Sequence, residues 1–120
     1  MRRFAPLFLC LVAAAPARPV PVPVPAGPAV SCISPSRIRE TRVRDDRTID
    51  FVMQGGKTFR NTLPHACPEL GFERAFGYDL SIDRLCSVDI ITVVRNGGPP
   101  GAMRGTSCGL GTFQPLAPAK

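Results

Sequence analysis

Thr48-Ile49-Asp50-Phe51-Val52-Met53, then Gln54-Gly55-Gly56-Lys57, then Thr58-Phe59-Arg60-Asn61-Thr62-Leu63 is the stretch that decides the fold class. Ile49, Phe51 and Met53 alternate with Thr48, Asp50 and Val52, and Phe59, Asn61 and Leu63 alternate with Thr58, Arg60 and Thr62. Period-two alternation on both sides of a glycine pair predicts two antiparallel strands and a tight connection. Loop length then sets the register. A two-residue Gly55-Gly56 turn pairs Met53 with Thr58 and turns Phe59 to the opposite face. A three-residue loop pairs Met53 with Phe59 and Ile49 with Leu63, keeping one face apolar. A one-residue slip would expose the core face, so a three-residue loop with a glycine at positive φ is expected.

Working upstream, Val43-Arg44-Asp45-Asp46-Arg47-Thr48-Ile49 yields to the same reasoning, with a three-residue loop matching Val43 to Ile49. Ile38 and Val43 have opposite parity, so the strand before that loop should carry a bulge near residues 39–42. Downstream, Pro64 to Gly71 reads as a loop or a single helical turn. Phe76, Tyr78 and Leu80 read as a fourth strand, and Leu85 to Val94 as a central strand apolar on both parities. A Gly/Pro-rich loop, 95–105, leads to a final strand from Cys108 to Phe113. Gly109 and Gly111 share a face of that strand, where they are expected to permit close backbone approach or strong coiling. Five to six short strands with almost no helix make the domain at 32–116 all-β, a small partly open barrel or curled antiparallel sheet, followed by a tail at 117–120.

The whole chain has 120 residues, 15 Lys+Arg, 9 Asp+Glu, one His, five Cys, 14 Pro and no Trp. That length holds one domain and excludes a doubly wound nucleotide-binding fold or a TIM barrel. Residues 1–17 read as a cleaved signal peptide. Arg2 and Arg3 precede a short apolar run from Leu7 to Ala15, and Ala15-Pro16-Ala17 supplies the small-x-small pattern. The run is too short to span a bilayer, so no transmembrane helix is expected in the mature chain. Cys10 lies inside the apolar run behind Phe8 and Leu9, which argues against lipidation. Residues 18–31, with Pro19, Pro21, Pro23, Pro25 and Pro28 separated mainly by Val, read as an extended Pro-rich arm or linker. The expected compartment is periplasmic or secreted.

Cleavage leaves Cys32, Cys67, Cys86 and Cys108, an even count that in an exported small domain implies two disulfides. Without a C-x-x-C pair, a compact zinc chelate is not expected. Four cysteines allow three pairings. A simple hairpin between the 86–94 and 108–113 strands sets Cys108 near Val93 and far from Cys86, so Cys67–Cys86 with Cys32–Cys108 is the preferred arrangement.

CISPSRI at 32–38, RTIDF at 47–51, FRNTLPHACPELG at 59–71, LCSVDIITV at 85–93 and SCGLGTFQPL at 107–116 follow one another in a familiar order. Together they resemble a domain-of-unknown-function family of small exported proteobacterial proteins. The resemblance covers nearly all of 32–116 and implies an exported bacterial protein. It implies no activity, cofactor or catalytic residue.

The residues that could carry chemistry are few. His65 would need a nucleophile and an orienting group, and no nucleophile-elbow pattern surrounds Ser87, Thr106 or Ser107. Asp45 and Asp46 read as turn residues and Asp79 and Asp83 as flanking another turn. Asp89 stands in the most apolar segment, where a charge needs an Arg, backbone donors or solvent. Calcium-loop spacing is absent, and Gly109-x-Gly111 lacks the third glycine and helix of a phosphate-binding loop. Arg37, Arg39, Arg42, Arg44 and Arg47 could meet a polyanion. Glu40, Asp45, Asp46 and Asp50 interleave with them, however, and no aromatic punctuates the run, so a solvated edge strand is favoured. No catalytic residue, cofactor or metal is assigned, and nucleic acid is not an expected partner. The reading is a non-enzymatic binding or envelope-associated module, meeting a protein or envelope component through the loops at 64–71 and 96–106. The alternatives are a small hydrolase of cell-envelope polymers using Asp89 or His65, or a disulfide-stabilised inhibitor using the 96–106 loop.

Overall fold

The computed structural model describes residues 24–96 and 103–117. Within them lie nine strands in three antiparallel sheets, none closed into a barrel. Six strands have four or more residues: β2 (Ile38–Val43), β3 (Thr48–Met53), β4 (Thr58–Thr62), β7 (Ile90–Val94), β8 (Arg104–Gly109) and β9 (Phe113–Leu116). Three have two: β1 (Cys32–Ile33), β5 (Phe76–Gly77) and β6 (Leu85–Cys86). The only α-helix among the described residues is the single turn α1 (Leu70–Glu73). The sheets run β2-β3-β4-β9, β5-β7-β8 and β1-β6.

Both predicted loops have three residues. Val43 pairs with Ile49 across Asp45-Asp46-Arg47, with the Arg44 amide donating to the Thr48 carbonyl. The Met53 amide donates to the Lys57 carbonyl across Gln54-Gly55-Gly56, where Gly55 and Gly56 have φ of +93° and +91°. The register differs from the expected one by two residues: Phe51 faces Phe59 and Ile49 faces Asn61. A shift of two preserves which side chains face the core, so alternation alone cannot distinguish the two registers. The β2 bulge is present between Ile38 and Glu40.

The core lies where the inner face of the four-stranded sheet meets the inner face of β5-β7-β8. Ile49, Phe51, Leu63, Leu70, Leu85, Ile91, Val93 and Phe113 are all fully buried there. Phe51 makes edge-to-face contacts with Phe113 at 5.5 Å and with Phe76, on the other sheet, at 6.1 Å.

The 85–94 segment is not one strand. The Asp89 carboxylate accepts from the Cys86 amide at 2.6 Å, and the Asp89 amide donates to the Cys86 carbonyl at 2.9 Å. That closed turn divides β6 from β7 and frees β6 to pair with β1. The expected disulfides are corrected as a result. Cys32 stands opposite Cys86 in the β1–β6 ladder and is bonded to it, and Cys67 is bonded to Cys108. The expectation of Cys67–Cys86 and Cys32–Cys108 assumed an unbroken 86–94 strand carrying Cys86 along with β7. The final strand is likewise two, β8 and β9, separated by Leu110, Gly111 and Thr112.

The Pro-rich arm joins the fold earlier than Cys32. Ala26 donates to the Pro115 carbonyl, Val30 exchanges hydrogen bonds with Phe113, and Ala117 donates to the Val24 carbonyl. The arm thus flanks β9 on the edge away from β4. Pro115 turns its carbonyl toward the arm, so the amide it lacks is missing on that outer side and the β4–β9 ladder is spared. The signal-peptide reading, the start of the arm and the tail from 118 lie outside the described residues. No helix among those described is long and apolar enough to cross a membrane.

Candidate binding groove

Asp89's turn has a second effect. It projects Val88 and Ile90 outward, 87% and 60% exposed, beside Ile82 at 65%. The loop after β5 runs back past this turn, and between the two lies an open groove of about 360 Å³ lined by Asp79, Leu80, Ile82, Arg84, Cys86 and Val88. A second hollow of about 490 Å³ adjoins it, sharing Asp79, Val88 and Asp89 and continuing over Tyr78, Ile90, Thr92 and Arg104. The groove therefore passes from the 79–84 loop onto the outer face of β5-β7-β8. Gly77 and Gly109 keep that face low, with no atom within 4 Å of where a Cβ would sit. Close approach, expected at both Gly109 and Gly111, is absent at Gly109. It occurs at Gly111, where a Cβ would meet the Thr62 carbonyl oxygen.

Asp79, Arg84 and Asp89 are the charged residues that line the groove, and Asp83 anchors its loop from behind. Asp83 accepts from the Ser36 hydroxyl at 2.5 Å and from the Ser36 amide at 2.9 Å, which holds its carboxyl below the ordinary range and ties the 79–84 loop to the turn after β1. Burial raises the Tyr78 hydroxyl above its ordinary value, and the Asp83 charge adds to this, so Tyr78 stays a neutral donor. Arg84 lies within 3.4 Å of the Cys32 sulfur.

The other candidates fall elsewhere. His65 is exposed in the 64–71 loop, and among the described residues no hydrogen bond joins it to Ser87, Asp89, Thr106 or Ser107. That loop is tied down rather than free. Cys67 donates to the Asp46 carbonyl, the Gly71 amide donates to the Asp46 carboxylate, and Arg47 donates to the carbonyls of Leu63 and Pro64. Asp45 accepts from the Arg47 amide as a turn residue. Of the 96–106 loop, residues 97–102 lie outside the described set. Arg42 pairs with Glu40 and Arg44 with Asp50 along β2, which is an edge strand. Among the described residues no group of three His, Cys, Asp or Glu side chains could hold a metal.

Asp50, expected only as one of the acids interleaving with the arginines, is the most buried charged residue described. It is 2% exposed, on the outer face of the central strand β3, bonded to Arg60 through both oxygens and to Arg44. Burial pushes its carboxyl up, but the hydrogen bonds and charges of Arg60 and Arg44 outweigh this and hold it below its ordinary value. The available signal was Arg60, placed on the same face of the adjoining strand. This cluster braces the sheet.

Comparison with protein-family models, with curated proteins and with solved structures found no match to this chain.

Proposed function

We propose that this chain is an exported, non-enzymatic binding module that meets a protein or envelope component through the groove between the 79–84 loop and the Val88–Ile90 turn. The observation that carries the reading is the concentration of Ile82, Val88 and Ile90, all more than half exposed, around two adjoining hollows that share Val88. A cluster of exposed aliphatic side chains on a small domain is the usual mark of a contact surface. Export is supported by two disulfides among the described residues, since such bonds persist in oxidising compartments. A periplasmic or secreted location is also what the signal-like sequence at 1–17 and the family resemblance suggest.

A photo-crosslinking residue at Val88, with Lys57 on the β3–β4 loop as the control position, tests the reading in cells. A discrete adduct from position 88 that is missing from position 57 is expected. No adduct, or the same adducts from both positions, would overturn it.

A further inference from the structure

The two disulfides differ in accessibility. Cys67 is fully buried and its partner Cys108 packs, partly buried, against the same core, whereas Cys32 and Cys86 are both only partly buried and Cys86 lines the groove wall. The Arg84 guanidinium reaches to 3.4 Å from the Cys32 sulfur. A thiolate generated at Cys32 would thus form within reach of a positive charge, and a lower-pKa sulfur departs faster in thiol–disulfide exchange. β1 and β6 contribute only two residues each, so few backbone hydrogen bonds resist their separation.

We propose that Cys32–Cys86 is a thiol–disulfide exchange site, attacked at Cys86 from the groove by a dithiol reductant, with Cys32 as the leaving sulfur, while Cys67–Cys108 is structural. An incoming thiolate forms a mixed disulfide with Cys86 as the Cys32–Cys86 bond breaks. The released electron pair resides on the Cys32 sulfur beside Arg84. The second thiolate of the reductant then attacks its own mixed-disulfide sulfur and releases Cys86. The reductant closes to a disulfide, and the protein gains two electrons and the two protons the dithiol gave up. This chemistry does not depend on what else the groove binds.

The experiment is timed reduction of the folded, oxidised protein by dithiothreitol without denaturant, with alkylation of freed thiols and peptide mapping. Cys32 and Cys86 should become alkylated together at least about tenfold faster than Cys67 and Cys108. Arg84→Gln should slow that opening by a factor of about three to ten, and Arg84→Lys should restore most of it. Opening of Cys67–Cys108 together with or ahead of Cys32–Cys86 in the unsubstituted protein would overturn the proposal. So would an Arg84→Gln rate equal to the parent rate, with the melting curve confirming that the variant is folded.

Discussion

The Asn61 carboxamide and the Gly111 backbone hold each other by two hydrogen bonds, Nδ2 to the Gly111 carbonyl at 2.7 Å and the Gly111 amide to Oδ1 at 2.8 Å. Asn61 is fully buried, on the strand face otherwise given to Ile49, Phe51 and Phe113. Its side chain imitates a peptide unit and satisfies the chain where it leaves β8 and turns into β9. Asn61→Ala strands both Gly111 groups and leaves a cavity, so a loss of about 3 kcal/mol is expected in denaturant titration. Asn61→Asp removes only the donor. At neutral pH, however, it sets a carboxylate against the Gly111 carbonyl, so it should destabilise at least as much and partly recover in acid. Gly111→Ala would place a Cβ 2.1 Å from the Thr62 carbonyl oxygen and should prevent folding.

The β3–β4 loop separates conformational cost from steric cost. Gly55 and Gly56 both have positive φ, yet nothing lies within 4 Å of a Cβ at either position. Substitution therefore acts through the backbone alone, and Gly56→Ala should cost about 1 kcal/mol in thermal or urea unfolding. Gly56→Val should cost more than Gly56→Asn although both side chains project into solvent, because β-branching disfavours positive φ while Asn tolerates it.

Asp50 gives a prediction with a defined pH window. Its native pKa lies below 3.8, the ordinary value it regains on unfolding. The stabilisation from this depression is fully present above the unfolded value and is lost as pH falls through the native one, that is, below about pH 4. The melting-temperature gap between the parent and Asp50→Asn should stay constant from about pH 8 to pH 5 and narrow below pH 4. A gap that widens in acid would contradict the arrangement.

What could be read from the residues and what could not divide on physical grounds. Strand faces were legible because burial imposes period two, which is why the Val43–Ile49 pairing, both three-residue loops and the β2 bulge agree with expectation. The two-residue offset of Phe59 was not legible, since either register buries the same side chains. The groove was hidden for a related reason. Val88 and Ile90 look like core residues in LCSVDIITV, and only the hydrogen bond from the Cys86 amide to Asp89 shows that the chain turns and exposes them. The disulfide pairing depended on that same turn, and local patterning carries no information about which strand β6 meets.

The two disulfides close loops of similar length, with sequence separations of 54 for Cys32–Cys86 and 41 for Cys67–Cys108. Chain-entropy reasoning alone assigns each about 4 kcal/mol, with the longer loop slightly ahead. Their surroundings reverse that order. Cys67 is fully buried in the core cluster, its amide is bonded to the Asp46 carbonyl, and Cys108 packs against the same cluster. Replacing Cys67 and Cys108 by alanine therefore removes the crosslink between the 64–71 loop and β8 and opens a void in the core cluster that holds Leu70. Replacing Cys32 and Cys86 removes a crosslink whose sulfurs lie near the surface, where solvent and Arg84 can fill the space. The Cys67→Ala/Cys108→Ala variant should be less stable than Cys32→Ala/Cys86→Ala by about 1–2 kcal/mol in denaturant titration, against the loop-length order. Equal losses would mean that the unfolded chain alone determines what each bond contributes, and that the buried Cys67 side chain adds nothing to the core.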